Sequence, residues 1–228
     1  MRDYKFQDYI DLVEKTKDPV LKKFMDDELA VIRGVKDPGN KTFIDLGAGY
    51  GRITKELAEI ADSLISIEIN PGMLPELKRR SEVHENAKVI EGDITNLSEI
   101  LTREKLVHPI LILIQNSLGT IEGSWKKVIS EMKRIAAKNR GSIIISFFKS
   151  ETLGTWGVSD LFSSVSEMTG EPDLEKIDFE KGLFVSKTGY TAKWWGEDEI
   201  REVREFFGGR VVNIIDKDNY VVLHFSFE

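Results

Sequence analysis

Between Thr42 and Phe148, short apolar runs alternate with amphipathic stretches, and this alternation limits the fold class. The runs are Thr42–Leu46, Ser63–Ile69, Lys88–Glu91, Ile110–Gln115 and Ser142–Phe148. Helical spacing fills the gaps at Arg52–Ala61, Pro71–Glu85, Leu97–Glu104 and Trp125–Ala137. Near-continuous apolar strands separated by helices predict a parallel sheet covered on both faces. After Lys149 the regularity stops. Val158–Met168 reads as a helix, and Leu174–Tyr190 as an antiparallel meander broken by Lys181-Gly182 and Thr188-Gly189. A helix at Glu197–Phe207 precedes strands Arg210–Ile215 and Tyr220–Phe227, whose tight link, Asp216–Asn219, requires an antiparallel hairpin. Residues 5–33 read as helix, broken at Asp18-Pro19 with Asp18 as a cap, and Lys36–Asn40 as a loop. The expected organisation is a helical cap (1–41), a sheet core (42–149), an inserted lid (150–196) and a completing helix and hairpin (197–228).

The strand at Thr42–Leu46 runs into Asp45-Leu-Gly-Ala-Gly-Tyr-Gly51 and then into a helix. Glycines in such a loop accept positive φ and let a ligand approach the backbone, while the helix behind points free N–H groups at it. The spacing separates ligands. A dinucleotide fingerprint, Gly-x-Gly-x-x-Gly, needs glycine at position 52, where this chain has Arg52. No Gly-Lys-Ser/Thr follows, so a P-loop is absent as well. Two acids end later strands. Glu68 is placed to accept from ribose hydroxyls, which suits any nucleoside. Asp93 is placed either at a ligand or as a cap of the next turn.

The loop, with its acid two positions before the first glycine, resembles motif I of the class I, Rossmann-like S-adenosylmethionine-dependent methyltransferases. Glu68 and Asp93 follow in the order of that family's later motifs. The resemblance implies a seven-stranded, mostly parallel sheet with an antiparallel last strand, N-terminal helices and a small antiparallel β insert. It implies S-adenosylmethionine as cofactor and S-adenosylhomocysteine as product. Gly47, Ala48, Gly49 and Gly51 would wrap the methionine part, with Asp45 near its amino group. Glu68 would hold the ribose, and Asp93 the adenine amine, with Ile69, Met73 and Ile94 as apolar cover. Met73 reads equally well as a core residue.

After the fourth strand comes Leu113-Ile-Gln-Asn-Ser-Leu-Gly-Thr120, without the Pro-Pro-aromatic run of enzymes that methylate exocyclic amines of DNA bases. By resemblance Gln115 and Asn116 adjoin the cofactor, and the Asn-Ser pair is similar to small-molecule N-methyltransferases. Asn116 either holds the nucleophile or the methionine carboxylate, or simply forms a turn. Displacement at a sulfonium needs alignment and desolvation, so no catalytic base is predicted. Tyr190 and Trp194, with Asn116, are the expected substrate contacts. Trp156 and Trp195 share the insert, where these rings otherwise build a small core of their own. Tyr4, Phe6 and Tyr9 would form a second wall.

The net charge of −7 weighs against a grip on nucleic acid, leaving a small molecule as the expected acceptor. Methylation of protein or RNA is the alternative; a basic stripe around Lys78-Arg79-Arg80, or Lys126-Lys127 with Lys133-Arg134, would favour it. A non-catalytic cofactor-binding regulator is a third reading. The chain has no cysteine, which removes disulfides, thiolate metal sites and Cys nucleophiles. His84, His108 and His224 lack metal spacing. No apolar run approaches the ~20 residues of a membrane span, and Met1–Ile10 is charged, so a cytoplasmic protein is expected.

Overall fold

A computed structural model describes residues 10, 13–35, 40–121 and 125–227. The expected wall of Tyr4, Phe6 and Tyr9 lies outside these residues, as does most of the Lys36–Asn40 loop.

Helix α1 spans Pro19–Arg33. Asp18 starts it, accepting from the N–H groups of Val20 and Leu21, with Pro19 in the first turn where no N–H is needed. Strand β1, Thr42–Leu46, leads through the glycine loop into α2, Thr54–Ile60. Strand β2 (Ser63–Glu68), helix α3 (Leu74–Ser81) and β3 (Ala87–Glu91) follow. The short α4 (Leu97–Ile100) precedes β4 (Ile110–Leu113), α5 (Trp125–Lys138) and β5 (Ser142–Phe148). Past the insert come α6 (Glu197–Phe207), β8 (Arg210–Asp216) and β9 (Tyr220–Ser226).

The seven strands lie in the order β3-β2-β1-β4-β5-β9-β8. The first five are parallel, while β9 is antiparallel to both β5 and β8. Alternation along the strands divides the core. Phe43, Ile110, Ile112 and Ile144 face α1, α2 and the insert. Ile44, Leu111, Leu113 and Ile145 face α4, α5 and α6. The order of strands reverses between β1 and β4, and the crevice at that switch point is where open α/β sheets bind ligands.

The insert carries the expected small antiparallel sheet, but with other bounds than the run Leu174–Tyr190. Only Leu183–Val185 (β6) and Thr191–Lys193 (β7) pair as strands, in a separate two-stranded sheet. The residues before them turn on single bridges, Pro172–Ser186 and Asp178–Leu183. The predicted helix begins earlier and is wider. Leu153–Leu161 is a π-helix, entered by a 3₁₀ turn at Ser150–Thr152 and left through short helical turns. Gly157 permits the wide turn to press on Trp194, since a Cβ there would lie 2.8 Å from the indole.

Candidate functional site

Gly47, Gly49 and Gly51 all adopt positive φ, between 58° and 85°. Ala48 N–H donates to the Ile67 carbonyl at 3.0 Å, stitching the loop to β2. The Glu68 carboxylate, buried at the end of β2, accepts from three backbone N–H groups: Gly49 at 2.7 Å, Ile69 at 2.9 Å and Asn70 at 2.7 Å. Among the described residues, a Cβ on Gly49 would meet nothing within 4 Å, which leaves the loop backbone accessible to a ligand.

Behind the loop lies a buried polar network. Glu28 of α1 is fully buried. One of its oxygens accepts from Gln115 N–H at 2.6 Å and Ser146 Oγ at 2.7 Å; the other takes the Arg52 guanidinium at 2.6 Å. One side chain thus ties α1, the glycine loop, the turn after β4 and strand β5 together. Burial raises the Glu28 pKa, against the opposing pull of Arg52 and the donated hydrogen bonds. Asp45 is also buried, and its Oδ2 has no hydrogen-bond partner among the described residues. Burial pushes its pKa up to about 7; Arg52 lowers it, and the charges of Glu68 and Glu28 raise it. A cationic amine is the chemistry that would satisfy such a carboxylate.

Gln115 and Asn116 both occupy the left-handed region, with φ of 59° and 55°. Neighbours hold this costly backbone in place. Glu28 takes the Gln115 N–H. The Asn116 amide donates to the Lys193 carbonyl at 2.9 Å and accepts from Trp195 Nε1 at 3.1 Å and Phe148 N–H at 3.3 Å. Its side chain therefore joins the turn, β5 and the insert.

These elements border a cleft of about 190 Å³. Its floor is the loop from Gly47 to Tyr50 with Arg52, and one side is Gln115, Asn116, Ser117 and Thr120. The insert supplies Leu161, Phe162, Val165, Thr169, Tyr190 and Ala192; Val13, Leu21 and Phe148 close the remainder.

The expected residues divide into groups. Gly47, Ala48 and Gly49 of the loop meet Gln115, Asn116 and Tyr190 at the cleft, whereas Asp45 and Gly51 are not among its lining residues and Gly51 packs toward Thr54 and Leu77. Glu68 and Asp93 end adjacent strands on the β2–β3 side and are not among its lining residues. Asp93 accepts from Thr95 N–H at 2.8 Å, the capping role, and Ile94 packs into the core. Ile69 is 48% exposed, whereas Met73 is buried against Ile10, Val13 and Tyr50. Trp194 lies one layer behind the cleft surface, fully buried among Phe148, Trp156 and Phe162. Sequence reading passed over Glu28, although Phe24, Glu28 and Ile32 fall at intervals of four on the apolar stripe of α1, where an acid needs a partner. In the sequence Arg52 only argues against a dinucleotide site, because nothing local names Glu28 as its partner across the fold.

Among the described residues no His/Asp/Glu cluster could hold a metal, and no helix is long and apolar enough to cross a membrane.

Residues 28–115 match the ribosomal RNA adenine dimethylase family. A relative, ribosomal RNA small subunit methyltransferase A of Leuconostoc citreum (strain KM20), is 29% identical over 127 residues, 48% of this chain and 43% of its own length. The chain thus spans less than half of that relative. Among solved structures, the PH0226 protein of Pyrococcus horikoshii OT3 superposes with a TM-score of 0.67 at 15% identity, covering 92% of each chain. An S-adenosylmethionine-dependent methyltransferase of Clostridium acetobutylicum ATCC 824 does so with a TM-score of 0.65 at 14% identity, covering 97% of each. The family match corrects the expectation, drawn from net charge, of a small-molecule partner in preference to nucleic acid: the similar proteins are named for ribosomal RNA. Net charge carries no information on where charges sit, so it could not exclude that partner. By its sheet order, its glycine loop and these likenesses, the chain has the Rossmann-like fold of the class I S-adenosylmethionine-dependent methyltransferases, and its residues 28–115 are similar to the ribosomal RNA adenine dimethylases.

Proposed function

We propose that this protein transfers a methyl group from S-adenosylmethionine to RNA, with an adenine base as acceptor. The observation that carries the reading is the match to the ribosomal RNA adenine dimethylase family across residues 28–115. That stretch contains the glycine loop, Glu68 and Asp93. The loop would bind the methionine part, with the buried, unpartnered carboxylate oxygen of Asp45 suited to its ammonium group. Glu68, which already orders the loop, would accept from the ribose. Asp93 would accept from the adenine amine, with Ile69, Met73 and Ile94 near the ring.

Bound S-adenosylmethionine supplies an electrophilic methyl and a neutral leaving group, so the protein's work is alignment and exclusion of water. Gln115 and Asn116 hold the turn beside the loop in a fixed backbone shape. Phe148, Phe162 and Tyr190 on the opposite walls give aromatic surface of the kind on which an extruded base stacks. A base, rather than a duplex, fits a cleft of this size.

The test uses tritiated S-adenosylmethionine with small-subunit ribosomal RNA, free and assembled. Label recovered in methylated adenosine after nuclease digestion is expected. Label that enters only low-molecular-weight extract, with S-adenosylhomocysteine binding intact by calorimetry, would overturn the acceptor and leave the cofactor assignment standing. Absence of that binding would overturn both.

A further inference from the structure

The main sheet ends on β8, whose outer side pairs with no strand among the described residues. At about 3.4 Å per residue such a strand offers roughly 24 Å of edge, with backbone N–H and C=O groups directed outward. Edges of this length are usually blunted by Pro, by Lys or by cover. Arg210–Asp216 reads Arg-Val-Val-Asn-Ile-Ile-Asp and contains neither residue. Instead Val211, Val212 and Ile214 stand 38%, 48% and 39% exposed. The strand's one irregularity is a shift of register against β9 between Val211 and Asn213. Such bulges turn edges away from partners; here the bulge sits in an aliphatic stretch that follows Arg210.

The strand is chemically symmetric about Asn213. A second copy laid antiparallel across this edge brings the Arg210 end of each strand toward the Asp216 end of the other, with the aliphatic residues between them. Opposite charges close both ends and aliphatic pairs fill the middle. Asp216 is available for this role. Its carboxylate pairs with Lys149 at 2.5 Å but remains 61% exposed, leaving an oxygen for a guanidinium. In sheet order β8 stands three strands from β4, so association at this edge leaves the cleft of each copy open.

We propose that β8 is a self-association edge: two copies of this chain pair antiparallel through Arg210–Asp216 into one continuous sheet, a closed isologous dimer. Sedimentation equilibrium on the full chain from low to high micromolar concentration should show reversible growth from the 25.9 kDa monomer to twice that mass. Arg210→Asp and Asp216→Arg should each weaken the dimer at least tenfold, by setting like charges against each other. The double variant exchanges the two ends and should recover most of the lost affinity. That recovery also separates a pairing effect from misfolding, which circular dichroism of each monomer checks independently. A monomer at every concentration, or a dimer indifferent to both single swaps, overturns the proposal.

Discussion

At the scale of residues, the site is governed by carboxylates removed from water. Glu28 is bonded by Arg52, Gln115 and Ser146, and its burial is tolerable only because those partners are present. Glu28→Ala should cost about 3–5 kcal/mol in denaturant unfolding, because it leaves the Arg52 guanidinium largely buried without the carboxylate it is bonded to. Replacing Glu28 and Arg52 together by Met should cost less than the single change; an additive loss would contradict the coupling. Asp45 makes a different prediction. Its folded pKa, about 7, lies above the ordinary carboxylate range, so it takes up protons on folding. Its contribution to stability is complete below about pH 4 and is lost as pH rises through about 7. Asp45→Asn removes this dependence. Its melting temperature should therefore exceed that of the parent at pH 8 and approach it at pH 5, whereas parallel pH curves would refute the assignment.

At the scale of elements, the insert is joined to the core by packing and by single polar contacts. Trp156 Nε1 donates to Asp18 Oδ2 at 2.7 Å, so the residue that caps α1 also fixes the π-helix. Gly157 faces the Trp194 indole, and an added methyl would lie 2.8 Å from it and 3.0 Å from Leu153. Neither neighbour has room to move in a packed interior. Gly157→Ala should cost about 1–3 kcal/mol by overpacking and alter the near-ultraviolet signal of the buried tryptophans. Unchanged stability would show that the wide turn has slack. The cleft wall formed by Leu161, Phe162 and Val165 depends on this packing, which places the insert's core and the cleft surface in one mechanical unit.

At the scale of the whole molecule, ligand binding and folding are linked, because the site gathers segments from residue 13 to residue 192. S-Adenosylhomocysteine at a hundred times its dissociation constant should add about 2.7 kcal/mol to stability. For a chain of this size that is about 5–10 °C in melting temperature. Glu68→Ala should reduce the shift and weaken affinity about ten- to a hundredfold, since it removes charge-assisted hydrogen bonds and frees the Gly49 loop. A full shift in Glu68→Ala would remove Glu68 from the site.

The sequence alone determined what depends on local periodicity and local turn chemistry. Apolar runs named the strands, and β1, β5 and α6 fall where the pattern placed them, because a strand buried on both faces must be apolar throughout. The glycines of residues 47–51 marked the loop because positive φ excludes most other residues. Tertiary structure decided the rest. The tryptophans of the insert could be read as pocket or core, and only the packing of Phe148, Trp156 and Trp194 made them core. Asn116 could be read as ligand or turn, and its partners on β5 and the insert, Phe148, Lys193 and Trp195, lie far along the chain. The pairing of Glu28 with Arg52 joins residues 24 positions apart, and no local pattern specifies which buried charge meets which. Periodicity reports the environment a residue needs, whereas the identity of its partner is fixed only when the whole sheet closes around it.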